Sequence, residues 1–376
     1  VQVAYIDFQK AFDSVSHPKL LHKLSGYGIH GNLLFWISSF LTNLIQQVRI
    51  GSSLSLSSQV IRGVPQGSVL GPLLFNLFIN DVTDSLDSSS TTKIFADDIK
   101  IYSEITNPNS ITNFQSQLNL IHVWSVTWQL PISHHKCCLL MLGHQTTIDV
   151  SLTINNIPLE VPNFAIDLGV IVDPHLKFDK HIHDIVARAK QRGAIIHRCF
   201  LSHNVNNLIM AFKTYVRPIL EYAPLIWSPY LHYLIDLVES VQRSFTKRLP
   251  GFAQLTYTER LVNLNLQSLE HRRLLFDLTM CYNIIHGCSA LSFGDFFAFS
   301  NKSTTRGHSL KLSAHLCKSN IRKHFFAVRV VPIWNSLPEK IVTSGTTRTF
   351  KKLISTYDFS MFLTFPCYVS PSPLIV

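Results

Sequence analysis

Hydrophobic and polar positions follow a readable order along the first 178 residues. Val1 to Phe8, VQVAYIDF, is β-branched and apolar up to Asp7 and predicts a strand. Pro18 suits the first turn of a helix whose Leu20, Leu21 and Leu24 share one face, with Gly26 or Gly28 to stop it. Leu33, Trp36, Ile37, Phe40, Leu41 and Leu44 form the apolar stripe of a second helix. Gln46 to Ile50 and Ser55 to Ile61 predict a hairpin joined through Gly51-Ser52-Ser53. Arg62 to Ser68, RGVPQGS, is a loop by its Gly and Pro content, and an apolar helix from about Val69 to Val82 follows it. A Ser-rich turn, Ser85 to Ser90, leads to IFADDIKIY, Ile94 to Tyr102, which predicts two short strands meeting at Asp97-Asp98. Ser110 to Trp128 is helical. Cys137 to Leu142, Val150 to Val161 (folding at Asn155-Asn156) and Leu168 to Val172 are strand-like. From His181 the helical period persists for most of the remaining chain, with Ile182, Ile185, Val186, Ala189 and Ile196 on one face of the first helix. The order predicts an α+β domain followed by an α-helical region.

The 376 residues suit two or three domains, and 46% hydrophobic against 15% charged residues excludes a disordered chain. The longest apolar runs, such as Val69 to Ile79, are broken by polar residues and fall short of a membrane span, and no signal peptide is expected in the first residues. Seven cysteines without a C-x-x-C pair support neither a zinc site nor a disulfide framework. Reduced thiols and an intracellular, nuclear or cytoplasmic location are the expectation. Charge is concentrated. Residues 301–352 hold eleven Lys and Arg against one acid, Glu339, which accounts for the whole net charge of +10. A polyanion such as nucleic acid is the natural partner of that segment; a solvated basic face is the plain alternative.

The Asp pair is the chemical anomaly. Two adjacent carboxylates in an apolar strand raise each other's pKa unless a cation stands between them. Each candidate has an ordinary reading when taken singly. Asp97-Asp98 could form a common turn, Asp7 could cap a helix, Phe12 could fill a core, and Lys136 could point to solvent. Together they say more. If the strands ending at Asp7 and turning at Asp97 are neighbours in one sheet, the acids meet as hard oxygen ligands of the kind Mg²⁺ accepts.

Three stretches, YIDFQKAFD from Tyr5 to Asp13, PQGSVLGP from Pro65 to Pro72, and FADD from Phe95 to Asp98, carry a family resemblance. In order and identity they resemble three successive polymerase motifs of the reverse transcriptases of LINE-type, non-long-terminal-repeat retrotransposons. Leu130 to Leu142, with Lys136 in the place of a motif lysine, resembles the next motif. Leu168-Gly169-Val170 resembles the turn called the primer grip. Glu239 to Arg243, Glu259 to Leu261, Leu269 to Arg273 and Trp334 to Pro338 resemble pieces of the C-terminal half, particularly of jockey-like elements.

The resemblance implies a polymerase palm, an antiparallel sheet with helices packed on it, over residues 1–178. It implies a helical thumb over 179–235 and a helical, basic C-terminal region over 236–376. Asp7 and Asp97 would hold two Mg²⁺ ions, with Asp98 in support and Phe8 lending its backbone to the triphosphate. Phe12 would be the steric gate against a ribose 2′-hydroxyl. Gln66 and Gly67 would line the nucleotide pocket, and Lys136 would serve as a general acid or a charge near the leaving pyrophosphate. Asp13 is read as a helix-start carboxylate. Arg188, Lys190 and Arg192 of the thumb, and Lys318, Arg322 and Lys323 of the basic segment, would contact nucleic acid; Trp334 is expected to anchor a core, with stacking on a base as the alternative. The implied function is RNA-directed DNA synthesis from deoxynucleoside triphosphates, with RNA template and DNA primer as partners and no membrane. The alternative is a catalytically dead transposon remnant that binds nucleic acid through its basic segment.

Two features depart from the family. Leu44 stands where an Arg is frequent. Only six residues precede Asp7, so fingers and endonuclease regions are expected upstream in a longer protein, and this chain alone is expected to polymerise poorly.

Overall fold

The computed structural model describes residues 1–87, 90–143, 151–300, 307–314 and 316–365. Of the positions read above, Ser88, Ser89, Val150, Lys302 and Arg306 lie outside the described residues. Helices and strands are both present, and the chain divides into two compact units: Val1–Ala165 with Asp173–His175, and Ile166–Val172 with Leu176–Val376.

The first unit is built on a four-stranded sheet. Strands β1 (Gln2–Ile6), β2 (Thr91–Phe95), β3 (Asp98–Ser103) and β4 (Cys138–Met141) lie in the order β2-β3-β1-β4, every neighbouring pair antiparallel. Alternation decides the faces. Ala4, Ile6 and Phe8, Ile99 and Ile101, and Leu139 enter one core with Leu20, Leu24, Phe75, Phe78, Phe114 and Leu118. Those partners come from helices His17–Gly26, Leu70–Ile79 and Pro108–Trp128. The last helix starts two residues ahead of the expected Ser110: Asn107 and Ser110 form a capping box and Pro108 takes the first position. Lys23 is buried in this core against Asp81, with its ammonium 3.7 Å from the Trp128 ring centre. Burial lowers its pKa to about 8, against the opposing pull of Asp81.

Two sequence expectations need correction here. The Gly31–Leu41 helix buries Ile37 and Leu41, but leaves Leu33 and Trp36 54% exposed. Its apolar stripe is wider than the face its own unit covers. Leu168 and Gly169 are not strand residues: they form the turn between strands Ala165–Asp167 and Val170–Val172, both at positive φ (45° and 82°). The predicted hairpin near Gly51 is present as two nested ladders, Ile45–Gln46 with Ser58–Gln59 and Arg49–Ile50 with Ser53–Leu54. At Asn155-Asn156 the chain turns with both residues at positive φ, as Asn tolerates, between Thr153–Ile154 and Ile157–Pro158.

The second unit is mainly helical. Helix Asp179–Cys199 buries Ile182, Ile185, Val186, Ala189 and Ile196, the face its periodicity predicts. One core gathers around Trp227, Phe212 and Phe245, another around Trp334, Tyr282 and Phe350. Trp334 is fully buried and donates from Nε1 to the Leu310 carbonyl at 2.9 Å. Among the described residues, no helix is long and apolar enough to cross a membrane.

This unit also buries polar groups. Glu239, with no solvent exposure, accepts from Tyr257 Oη, from the Leu269 amide at 3.0 Å and from the Glu270 amide at 3.3 Å. It therefore sits on the first peptide groups of helix Leu269–Ile285, where a carboxylate is favoured. His181 and His271 are buried, and neither ring nitrogen of His271 has a partner among the described residues. Burial first, then nearby arginine, lowers both imidazoles to about 4. Between pH 4 and 6.5 the folded unit thus binds fewer protons than the unfolded chain, so its stability falls as pH drops through that window. The urea midpoint of the second unit should be lower at pH 4.5 than at pH 7, and His271→Gln should reduce the difference.

Candidate active site

The register of the sheet assembles the site. β1 pairs with β3 through Ile6↔Ile99 and with β4 through Tyr5↔Cys138. Continued past those pairs, the ladders set Asp7 level with Asp98 on one side and with Lys136 on the other. Because Ile6, Phe8 and Ile99 point into the core, Asp7 and Asp98 point to the opposite face. Directly opposite strand neighbours stand about 5 Å apart. Two motifs some ninety residues apart in sequence therefore deliver carboxylates to adjacent positions on one open face.

Asp97 sits in the turn between β2 and β3, beside Ala96, which has a left-handed φ of 52°. An alanine held there stores roughly 1–2 kcal/mol of backbone strain. Asp97 is half-buried and Asp98 exposed.

Lys136 brings a cation to Asp7. Its Nζ lies 3.2 Å from Asp7 Oδ1 and 3.4 Å from Oδ2. The Lys136 side chain is 55% exposed and that of Asp7 30%, so the pair contributes under about 1 kcal/mol to stability. The Asp7 backbone is fixed more firmly: its carbonyl accepts from the Ser133 amide at 2.8 Å, and the Gln9 amide donates to the Pro131 carbonyl at 2.8 Å. These two bonds frame the bridge between Phe8 and Ile132 and engage neither the N–H nor the C=O of Phe8 itself. The Phe8 ring itself is buried, 6.1 Å from Trp124 between ring centres.

The Pro65–Ser68 loop is tied to the segment after β1. Val64 donates to the Phe12 carbonyl and Gly63 to the Val15 carbonyl, both at 2.8 Å. Gln66 Nε2 donates to Asp13 Oδ1 at 2.8 Å. Asp13, read as a helix-start carboxylate, thereby also holds Gln66. Phe12 is half-buried and stacks on Phe75 with ring centres 4.2 Å apart. Gly67 takes a positive φ of 83°. Gly63 has no latitude at all: at φ 91° a Cβ would stand 2.8 Å from Asp13 Cα. Gly63→Ala should therefore cost roughly 3 kcal/mol, the sum of a left-handed alanine and a backbone clash. Chemical denaturation of the first unit measures it, and Gly26→Ala, with open space around it, is the control.

The remaining predicted residues are not gathered here. Arg188, Lys190 and Arg192 are exposed on helix Asp179–Cys199, with Arg188 paired to Asp184 at 2.9 Å. Lys318, Arg322 and Lys323 are exposed on or near the short helix Asn320–Lys323. Arg322 borders an apolar cavity of about 650 Å³ lined by Trp227, Phe296 and Phe326, with its guanidinium 5.0 Å from the Phe325 ring centre. The basic segment is not uniformly a surface feature. Arg329 is drawn inward by Asp277, a partner 52 residues away that no local pattern reveals.

The donor set suits a hard divalent cation. Mg²⁺ keeps several waters and takes one or two carboxylates with substrate phosphates, and Asp7, Asp97 and Asp98 could provide such oxygens. Among the described residues, no group of three or more His, Cys, Asp and Glu side chains is arranged to cage a metal by itself.

Residues 2–198 match the reverse transcriptase (RNA-dependent DNA polymerase) family. The chain is 28% identical over 255 residues to a probable RNA-directed DNA polymerase from the transposon X-element of Drosophila melanogaster. It is 27% identical over 257 residues to the RNA-directed DNA polymerase from the mobile element jockey of Drosophila funebris. Each match covers 66% of this chain, and the chain spans about 28% of the length of these two relatives. Among solved structures, apo telomerase from Candida tropicalis is similar at a TM-score of 0.39 and 10% identity, over 75% of this chain and 50% of that one, a likeness too loose to fix any detail. The chain belongs to the reverse transcriptase family, among the members carried by LINE-type, non-long-terminal-repeat retrotransposons.

Proposed function

We propose that this chain is the catalytic portion of an RNA-directed DNA polymerase, with its first unit acting as the palm. The observation that carries the reading is the register that sets Asp7 beside Asp98 and Lys136 on the open face of the sheet. The primer 3′-hydroxyl attacks the α-phosphate of a deoxynucleoside triphosphate; a P–O bond forms to the primer and pyrophosphate leaves. Two Mg²⁺ ions, when bound by Asp7 and Asp97, would supply charge to activate the hydroxyl and to stabilise the leaving oxygen. Asp98 holds the neighbouring position on β3, and Phe8 offers its peptide groups to the triphosphate. Lys136 places one positive charge at Asp7, where it competes with metal for the carboxylate and stands ready for the leaving phosphates.

Selection of the nucleotide falls to the adjacent loop. Phe12, braced by Phe75, bars a ribose 2′-hydroxyl, while Gln66, held by Asp13, and the neighbouring Gly67 border the incoming base. Residues 179–235 act as a thumb and 236–376 as a basic C-terminal region that binds template RNA and primer. The exposed Arg188, Lys190, Arg192, Lys318, Arg322 and Lys323 support that role, with an affinity that falls as salt rises.

Primer extension on poly(rA)–oligo(dT) tests the reading. A polypeptide containing this chain should extend the primer in Mg²⁺. Phe12→Ala should raise ribonucleotide incorporation by about tenfold or more relative to deoxynucleotide. A longer polypeptide that binds the duplex yet adds no nucleotide would instead favour the dead, nucleic-acid-binding remnant.

A further inference from the structure

The second unit holds a charge imbalance that the chemistry above does not use. Val205 to Glu221 runs as one helical stretch whose middle, Phe212–Val216, widens into a π-helical turn. Such turns are rare and often accompany functional sites. Lys213 and Arg217 lie four residues apart on this stretch, and Glu221 four further on, so the three follow one face. Arg272, from helix Leu269–Ile285, grips Glu221 with Nε on Oε1 and with Nη2 on Oε2 at 3.0 Å. Arg217 Nε stands 3.7 Å from Glu221 Oε2. One carboxylate thus serves two guanidiniums.

Lys213 has no hydrogen-bond or ion-pair acceptor among the described residues. Burial first, then the positive charges of Arg217 and Arg272, lowers its pKa. Nor is this a solvated surface: the side chains of Arg217, Arg272 and Glu221 are only 22%, 24% and 12% exposed. Three cations and one acid leave two positive charges uncompensated in a half-buried place. Like charges held together there repel by several times what they would in water. An anion relieves the repulsion, and two planar guanidiniums beside an ammonium match the oxygens of a phosphate.

We infer that Lys213, Arg217 and Arg272 form a phosphate-binding site, and that its occupant is a backbone phosphodiester of a nucleic-acid strand. The source of the phosphate rests on the polymerase reading; the site itself does not.

The test uses the whole chain with Lys213→Gln and Arg217→Gln combined, which leaves the Arg272–Glu221 pair in place. Fluorescence anisotropy follows a labelled RNA–DNA duplex from 50 to 200 mM KCl. The double variant should bind about tenfold more weakly at 100 mM, and the slope of log Kd against log salt should fall by about one to two. Its urea midpoint in phosphate-free buffer should equal or exceed that of the parent chain, because the repulsion is gone. An unchanged slope, or a lower midpoint with unchanged affinity, overturns the site and leaves a structural role. Inorganic phosphate provides the second arm. If it raises the midpoint of the parent chain but not of the variant, while duplex binding is the same for both, the site stands and the strand is the wrong source. If the parent chain binds no duplex at all, the polymerase reading fails, and the phosphate arm alone decides the site.

Discussion

Asp97→Asn, in a polypeptide that carries this chain and extends primers, is expected to lower single-turnover synthesis by about a thousandfold or more. Duplex affinity should stay within about threefold. The amide keeps the size and hydrogen-bonding shape of the carboxylate but removes its charge, so the turn between β2 and β3 and the strain at Ala96 should survive. What is lost is one of the two anionic oxygen donors to which the proposed scheme assigns a divalent cation. Asp98→Asn should cost much less, because in the proposed scheme that residue supports the site and does not hold the reacting phosphate's metal. Comparable losses at Asp97 and Asp98 would give the two acids equal roles, and a larger loss at Asp98 would reverse them. Near-parental synthesis by Asp97→Asn would remove the site from the reaction.

Asp277→Ala is expected to destabilise the second unit by about 3–5 kcal/mol. Arg329 donates to Asp277 Oδ2 from Nε and to Oδ1 from Nη2, both at 2.8 Å, and also reaches the carbonyls of His324 at 3.0 Å and Leu225 at 3.1 Å. Side-chain exposures of 16% for Arg329 and 8% for Asp277 mean that removing the acid strands a buried guanidinium. Arg273, 3% exposed, loses a compensating charge at the same time. The paired replacement Asp277→Leu with Arg329→Met should cost far less, since it leaves no buried charge unpaired. Urea unfolding followed by the fluorescence of Trp227 and Trp334, both in this unit, reads both variants. Equal losses for the single and paired changes would mean that packing, and not charge, holds this part together.

Several of the C-terminal stretches that resemble jockey-like elements turn out to do such internal work. Glu239 anchors the start of a helix, Gln242 Nε2 bridges Tyr257 Oη and the Gln267 carbonyl, and Asn335 makes two 2.8 Å bonds to the backbone of Leu312. Their sequence signal was a polar residue inside an apolar helix face, which by itself reads equally as a site or as a satisfied core group.

Local order was legible in the sequence because its causes are local. A strand leading up to Asp7 and a buried face on helix Asp179–Cys199 follow from side-chain period over a few residues, while the turn expected at Asp97-Asp98 falls one residue earlier, at Ala96-Asp97, so that Asp98 opens β3. So was the family, since its motifs are contiguous. Tertiary structure alone decided which charges meet. The Asp7–Lys136 contact spans 129 residues, Gln66–Asp13 spans 53, and Arg329–Asp277 spans 52. It also decided that Leu33 and Trp36 stay exposed on their helix and that Arg329 leaves the basic surface. Hydrophobic periodicity records that a face is to be covered, but not by what. A charge records that a partner is needed, but not from where along the chain. Both are answered only when sheet register and helix packing bring distant segments to within a few ångströms.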